Sequence, residues 1–204
     1  MPPTSRIPLV DLAGSAEPGA ERSAVVGTIR RACEEIGFLV TTGHGVPGEI
    51  VTTADAAARG FYSLSEEEKL ASILLPGTWW GFTPAQGTAL AMGHDVITPP
   101  DLCETYSISR FDNVEPGIDP GNGRSAFITP NVWPSRPPEF KPALTAYYAA
   151  MEGLADRLIG LMALALGMEE RWLADKIRYP HNGPHRPPLP RTGPASPAGP
   201  IAER

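Results

Sequence analysis

The sequence predicts a mixed α/β (α+β) chain in which short strands lie against helices. Three observations carry that prediction. Residues 32–47, ACEEIGFLVTTGHGVP, pass from an apolar helical face through an aromatic and β-branched run to a glycine-bracketed turn. Between Phe140 and Ala165 apolar residues recur every three or four positions, the spacing of one helical face. Between Pro76 and Pro138 that periodicity fails, and Gly, Pro, Asn and Asp punctuate the chain instead.

Taken in order, Ile7-Pro8-Leu9-Val10-Asp11-Leu12 is a short apolar strand, with its proline at a strand start or an edge. A helix follows from near Glu21. Val25, Val26, Ile29, Ala32, Cys33 and Ile36 form its apolar face, and Gly37 is placed to stop it. Phe38 to Thr42 then read as a buried strand. Gly43-His44-Gly45 turns the chain, and Pro47 suits an early position of the next helix, where a missing N–H costs little. That helix runs from Ile50 to Tyr62 and is rich in alanine. Ser65 and Glu68 stand in capping-box spacing at another helical start, so the acidic cluster there is a solvated first turn favoured by the helix dipole.

In the punctuated region, Leu102 to Ile108 (LCETYSI) has strand character, and the remainder reads as ordered loop. Phe140, Leu144, Tyr147, Met151, Leu154, Leu158, Leu161 and Ala165 then mark one long helix that Gly167 is placed to end. At about 1.5 Å per residue it spans on the order of 40 Å, and a stripe of that length needs a packing partner. After Ile177 the globular signal disappears. Eight of the 24 prolines fall within residues 180–204, which read as a disordered, polyproline-leaning tail. The domain reading is therefore 1–177 folded and 178–204 a Pro-rich tail.

Composition excludes several classes. A net charge of −6 argues against a nucleic-acid surface, which needs clustered Lys and Arg. No apolar run approaches the ~18 residues of a membrane span. The N-terminus lacks the apolar core of a signal peptide. Cys33 and Cys103 have no metal-type spacing and read as free thiols of a reducing, cytoplasmic compartment.

Several of these segments, in this order, resemble the N-terminal region of the isopenicillin N synthase-like oxygenases. The likeness rests on Ile7 to Leu12, on ACEEIGFLVTTGHGVP, and on Phe61-Tyr62-Ser63-Leu64 with Glu67-Glu68-Lys69. It continues through Gly81-Phe82-Thr83-Pro84, Asp101 to Tyr106, Asn131-Val132-Trp133-Pro134, Pro138-Glu139-Phe140 and Ala165-Leu166-Gly167-Met168, covering residues 6–177. One departure is Gly43, where many members carry Asn. The resemblance implies the N-terminal helix-and-strand portion of a double-stranded β-helix (jelly-roll) oxygenase. It further implies Fe(II) held by His-x-Asp and a distal His, and 2-oxoglutarate bound at the metal through an Arg-x-Ser element. Such an enzyme couples oxidative decarboxylation of 2-oxoglutarate to oxidation of a small molecule, in chemistry of the secondary-metabolite type that includes antibiotic precursors.

This chain does not supply that machinery. His44 lies in the glycine turn and matches a family position that is not a ligand. His94 is followed directly by Asp95, and adjacent strand residues point to opposite faces. His181 and His185 are followed by Asn-Gly and Arg-Pro. The expectation is no catalytic residue, no metal ligand, and neither Fe(II) nor 2-oxoglutarate bound by this chain. The jelly-roll core is largely missing, and the shift near Ile177 reads as truncation or a frame disruption in a GC-rich gene. The alternative is a non-catalytic binding or regulatory module that uses the scaffold and the tail. Phe82 and Tyr106 are the candidate substrate-binding residues, with plain core packing as their alternative reading. Truncation also predicts self-association through exposed strand edges and apolar surface.

Overall fold

The computed structural model describes residues 7–76, 78–87, 99–109 and 129–174. The tail, the boundary at 177, and His94, His181 and His185 lie outside the described residues.

Strand β1 (Leu9–Asp11) leads through a 3-10 turn (Ala13–Ser15) into helix α1 (Ala20–Glu35), which returns the chain to β2 (Val40–Thr42). The strands pair in parallel, Leu9 against Val40, Val10 against Thr41 and Asp11 against Thr42. A parallel pair needs a crossover of about a dozen residues or more, and α1 provides it. Its end is as the glycine predicts: the Ile36 and Gly37 N–H groups both donate to the Ala32 carbonyl, with Gly37 at φ +80°. Ile29 and Ala32 are buried on its inner face, whereas Cys33, expected on that face, is exposed.

The expectation of a fully buried strand at 38–42 needs correction. Only three of those residues form β2, and it is covered on one side alone. Val10 and Leu12 are buried, with Leu39 packed beside them, while Phe38 and Val40 stand exposed on the other side. Side chains alternate across a strand, so a two-stranded sheet with helices on one side leaves every second residue uncovered.

Helix α2 (Gly48–Tyr62) starts after Pro47 at the N-cap, and α3 (Glu66–Leu70) follows. The capping box of α3 forms as expected. The Ser65 hydroxyl accepts the Glu68 N–H, and the Glu68 carboxylate accepts the Ser65 N–H at 3.2 Å. The hydrogen bonds from Ser65 hold the Glu68 carboxyl below its ordinary value. A hairpin of β3 (Gly81–Thr83) and β4 (Thr105–Ser107) comes next, then α4 (Phe140–Ala165). Strand β4 is shorter than the LCETYSI segment predicted, and Leu102 stays exposed.

Helix α4 carries two cores. Its C-terminal half packs Leu161 and Ala165 with Val10, Leu12 and Ile29, joining the β1–β2 sheet and α1. Its N-terminal half packs Phe140 and Ala143 with Ala57, Phe61 and Phe82, joining α2 and the hairpin. Gly167 at φ +74° ends it, and the Met168 N–H returns to the Ala163 carbonyl at 2.9 Å. Arg30 Nε donates to the Ala165 carbonyl at 2.6 Å, tying α1 to that end. No helix among the described residues is long and apolar enough to cross a membrane.

Candidate functional site

The hairpin holds both residues expected at a substrate site. Phe82 and Tyr106 are directly opposed across antiparallel strands, so their rings leave the hairpin on the same face. That face meets Phe61 of α2 and Phe140 of α4. Phe61 lies edge-on to Phe82 at 5.5 Å between centroids and to Tyr106 at 5.0 Å, and Tyr106 meets Phe140 at 4.8 Å. These edge-to-face geometries match ring edge to ring face, the electrostatically preferred arrangement. Phe82 has no accessible surface and Tyr106 is half-buried. The Tyr106 hydroxyl donates to the Val132 carbonyl. In this chain Phe82 belongs to the buried aromatic cluster and Tyr106 packs against it.

Three further contacts fix the hairpin. Gly81 sits at φ +133°, where a Cβ would come within 2.9 Å of the Leu74 backbone. That closeness lets the Phe82 N–H donate to the Ser72 carbonyl at 2.8 Å. The Asn131 side chain acts as a strand partner, accepting from the Ser109 N–H at 2.7 Å and donating to its carbonyl at 2.9 Å. Lys69 Nζ reaches both Glu104 oxygens at 2.6 and 2.8 Å while lying 5.6 Å from the Phe82 ring centre. The pair joins α3 to the entry of β4. Burial, followed by the Glu104 charge, pushes the Tyr62 phenol above its ordinary value.

The glycine turn is the second constellation. The Val46 N–H donates to His44 Nδ1 at 3.1 Å, which places the proton of a neutral ring on Nε2. Arg157 of α4 donates to the His44 carbonyl. A cleft of about 270 Å³ separates turn and helix, lined by His44, Val46, Pro47, Ala150, Leu154 and Arg157. Arg157 is a staple between turn and helix that sequence reasoning missed, as it missed Asn131 and the Lys69–Glu104 pair. No local spacing announces partners 113, 22 or 35 residues apart.

Could these residues hold the metal the resemblance implies? A 2-His-1-carboxylate centre needs three donors converging on one point. Among the described residues no three His, Cys, Asp or Glu side chains gather at metal-holding distance. His44 has Nδ1 committed to a backbone amide. The described residues do not fit the iron site.

Solved structures share this arrangement of helices and short strands. A putative 2OG-Fe(II) oxygenase family protein from Caulobacter crescentus matches with a TM-score of 0.67 at 24% identity, over 84% of this chain and 52% of that one. A full-length Neurospora crassa protein in complex with alpha-KG and thymine matches with a TM-score of 0.63 at 20% identity, over 81% and 50%. The class is the 2-oxoglutarate/Fe(II) oxygenase fold. In sequence, leucoanthocyanidin dioxygenase 1 of Oryza sativa subsp. indica is 28% identical over 175 residues, 86% of this chain and 42% of that protein. The 2-oxoglutarate-dependent dioxygenase caaD of Aspergillus niger is 31% identical over 167 residues, 79% and 48%. Residues 7–136 match the family model described as "non-haem dioxygenase in morphine synthesis N-terminal". The chain belongs to that family, and the isopenicillin N synthase-like resemblance read from its residues is borne out. It spans about half the length of these relatives, between 42% and 52%.

Proposed function

We propose that this chain is the N-terminal scaffold of an Fe(II)/2-oxoglutarate-dependent dioxygenase that oxidises a small molecule, and that it does not turn over alone. The observation that carries the reading is the half-length match: four-fifths or more of this chain aligns with roughly half of an oxygenase. The sequence adds support, with neither His-x-Asp nor a C-terminal Arg-x-Ser in its residues. A small-molecule substrate is favoured by relatives named for leucoanthocyanidin and bound to thymine. In the whole enzyme Phe82 and Tyr106 serve the substrate pocket as positioning residues. They anchor the β3–β4 hairpin, whose other face carries Thr83 and Thr105.

The test supplies the purified chain with Fe(II), 2-oxoglutarate and oxygen and measures succinate. Succinate stays at the level of a protein-free control. Protein-dependent succinate that a chelator abolishes would show an iron site within the chain and overturn the proposal.

A further inference from the structure

The cleft between the glycine turn and α4 plays no part in the proposed function, and it shares no residue with the aromatic cluster around Phe61. Its walls are apolar, with Val46 and Pro47 on the turn side and Ala150 and Leu154 on the helix side. Among the described residues, Arg157 is the one charged group in its lining, and no carboxylate lines it.

The donors there outnumber their acceptors. A guanidinium carries five N–H groups and accepts nothing. Among the described residues Arg157 meets one acceptor, the His44 carbonyl, through Nη2. Its Nε is buried and has no partner. Buried donors are nearly always satisfied, so an orphan on a residue that lines a cleft points to an acceptor the cleft admits. His44 adds a second donor. Because its Nδ1 accepts the Val46 N–H, the neutral ring carries its proton on Nε2, which meets no acceptor among the described residues. Pro47 is also the N-cap of α2, which sets the positive end of that helix at the rim.

We propose that this cleft binds a small monocarboxylate with an apolar body, its charged end held by Arg157 and His44. A planar guanidinium matches a carboxylate through two parallel N–H···O bonds, here from Nε and a neighbouring Nη. One cation balances one negative charge, which favours a monoanion over a phosphate or a dicarboxylate. The apolar walls take the rest of the molecule. At about 270 Å³ the cleft has the volume of roughly nine waters and falls below the ~300–1,000 Å³ of pockets for drug-sized ligands. A single ring or a short branched chain fits it. The site belongs to this chain's own residues and stands whether or not the scaffold reading does.

The test titrates benzoate into the full, isotopically labelled chain in phosphate-free buffer and follows the Arg157 Nε–H and Val46 amide resonances. Both shift and saturate with a Kd of about 1 mM or below, within reach of a ligand of this size. Benzamide, the same shape without the charge, binds at least tenfold more weakly. Arg157→Met keeps the aliphatic stem and weakens benzoate at least tenfold. Gly153 gives a variant that touches no hydrogen bond, because it lines the cleft and has open space where a Cβ would stand. Gly153→Leu keeps the helical circular dichroism of the parent and blocks benzoate by filling the cleft. No saturable shift at benzoate concentrations tenfold above that Kd overturns the proposal. Equal binding of benzamide makes the cleft merely apolar and overturns it too, as does inorganic phosphate binding more tightly than benzoate. A folded Gly153→Leu chain with unchanged affinity places the ligand elsewhere and overturns the site.

Discussion

Gly43 shows how one residue records its neighbours. It sits at φ +57°, a left-handed conformation that Gly and Asn both adopt, so Asn is conformationally reasonable there. Space decides otherwise. A Cβ at this position would lie 1.9 Å from Asp11 Oδ1 and 2.9 Å from the Ala13 nitrogen. Asp11 is held there because its Oδ1 accepts the Ala13 N–H at 3.0 Å, turning the chain out of β1. Gly43→Asn therefore displaces Asp11 and opens that turn, at a cost of about 1–3 kcal/mol, the range for a mutation that strains backbone and breaks a local hydrogen bond. Urea unfolding measures it. Asp11→Ala in the same chain recovers part of the loss, because the oxygen in the way is gone. An unchanged midpoint for Gly43→Asn would mean that the turn relaxes freely.

At the scale of elements, what the sequence revealed and what it hid divide by range. Gly37, Gly167 and the Ser65–Glu68 capping box were legible because each acts within a few residues of itself. The long helix was legible because its stripe repeats. The one-sided exposure of β2 was not, since a run such as FLVTT reads identically whether one face or both are covered. Nor was the site fully legible: Phe82 and Tyr106 carry signals for both pocket and core, and no local pattern announces that Phe61 packs edge-on against both rings. Phe61 is fully buried and meets the rings of Tyr62, Phe82, Tyr106 and Phe140. Phe61→Ala should cost about 3–5 kcal/mol, as large-to-small core changes in aromatics do. It should also lose the near-ultraviolet circular dichroism of the packed rings while most helical signal persists. If the rings keep that signal, the hairpin is held by Lys69–Glu104 and Asn131 rather than by the cluster.

The molecule as a whole depends on α4. The β1–β2–α1 core and the α2–hairpin core share no buried residue, and each packs on its own half of that helix. A continuous helix is stiff, so the two cores register against one another through it, and opening either exposes part of the stripe that covers the other. This predicts a single cooperative unit. In native-state hydrogen exchange, the slowest amides of α1 and α2 should report the same opening free energy, the signature of global unfolding. Gly153 lies along α4 between the two groups of contacts, exposed and with open space where a side chain would sit. Gly153→Pro removes a helical hydrogen bond and crowds the preceding turn, at a cost of about 3 kcal/mol or more. It should do so by separating the two cores, so that α1 and α2 amides exchange with different free energies. Gly153→Ala at the same position should raise both together by about 0.5–1 kcal/mol, since it removes only the conformational freedom of glycine in a helix. Two opening energies in the unmodified chain would show instead that each core folds independently and that α4 merely spans them.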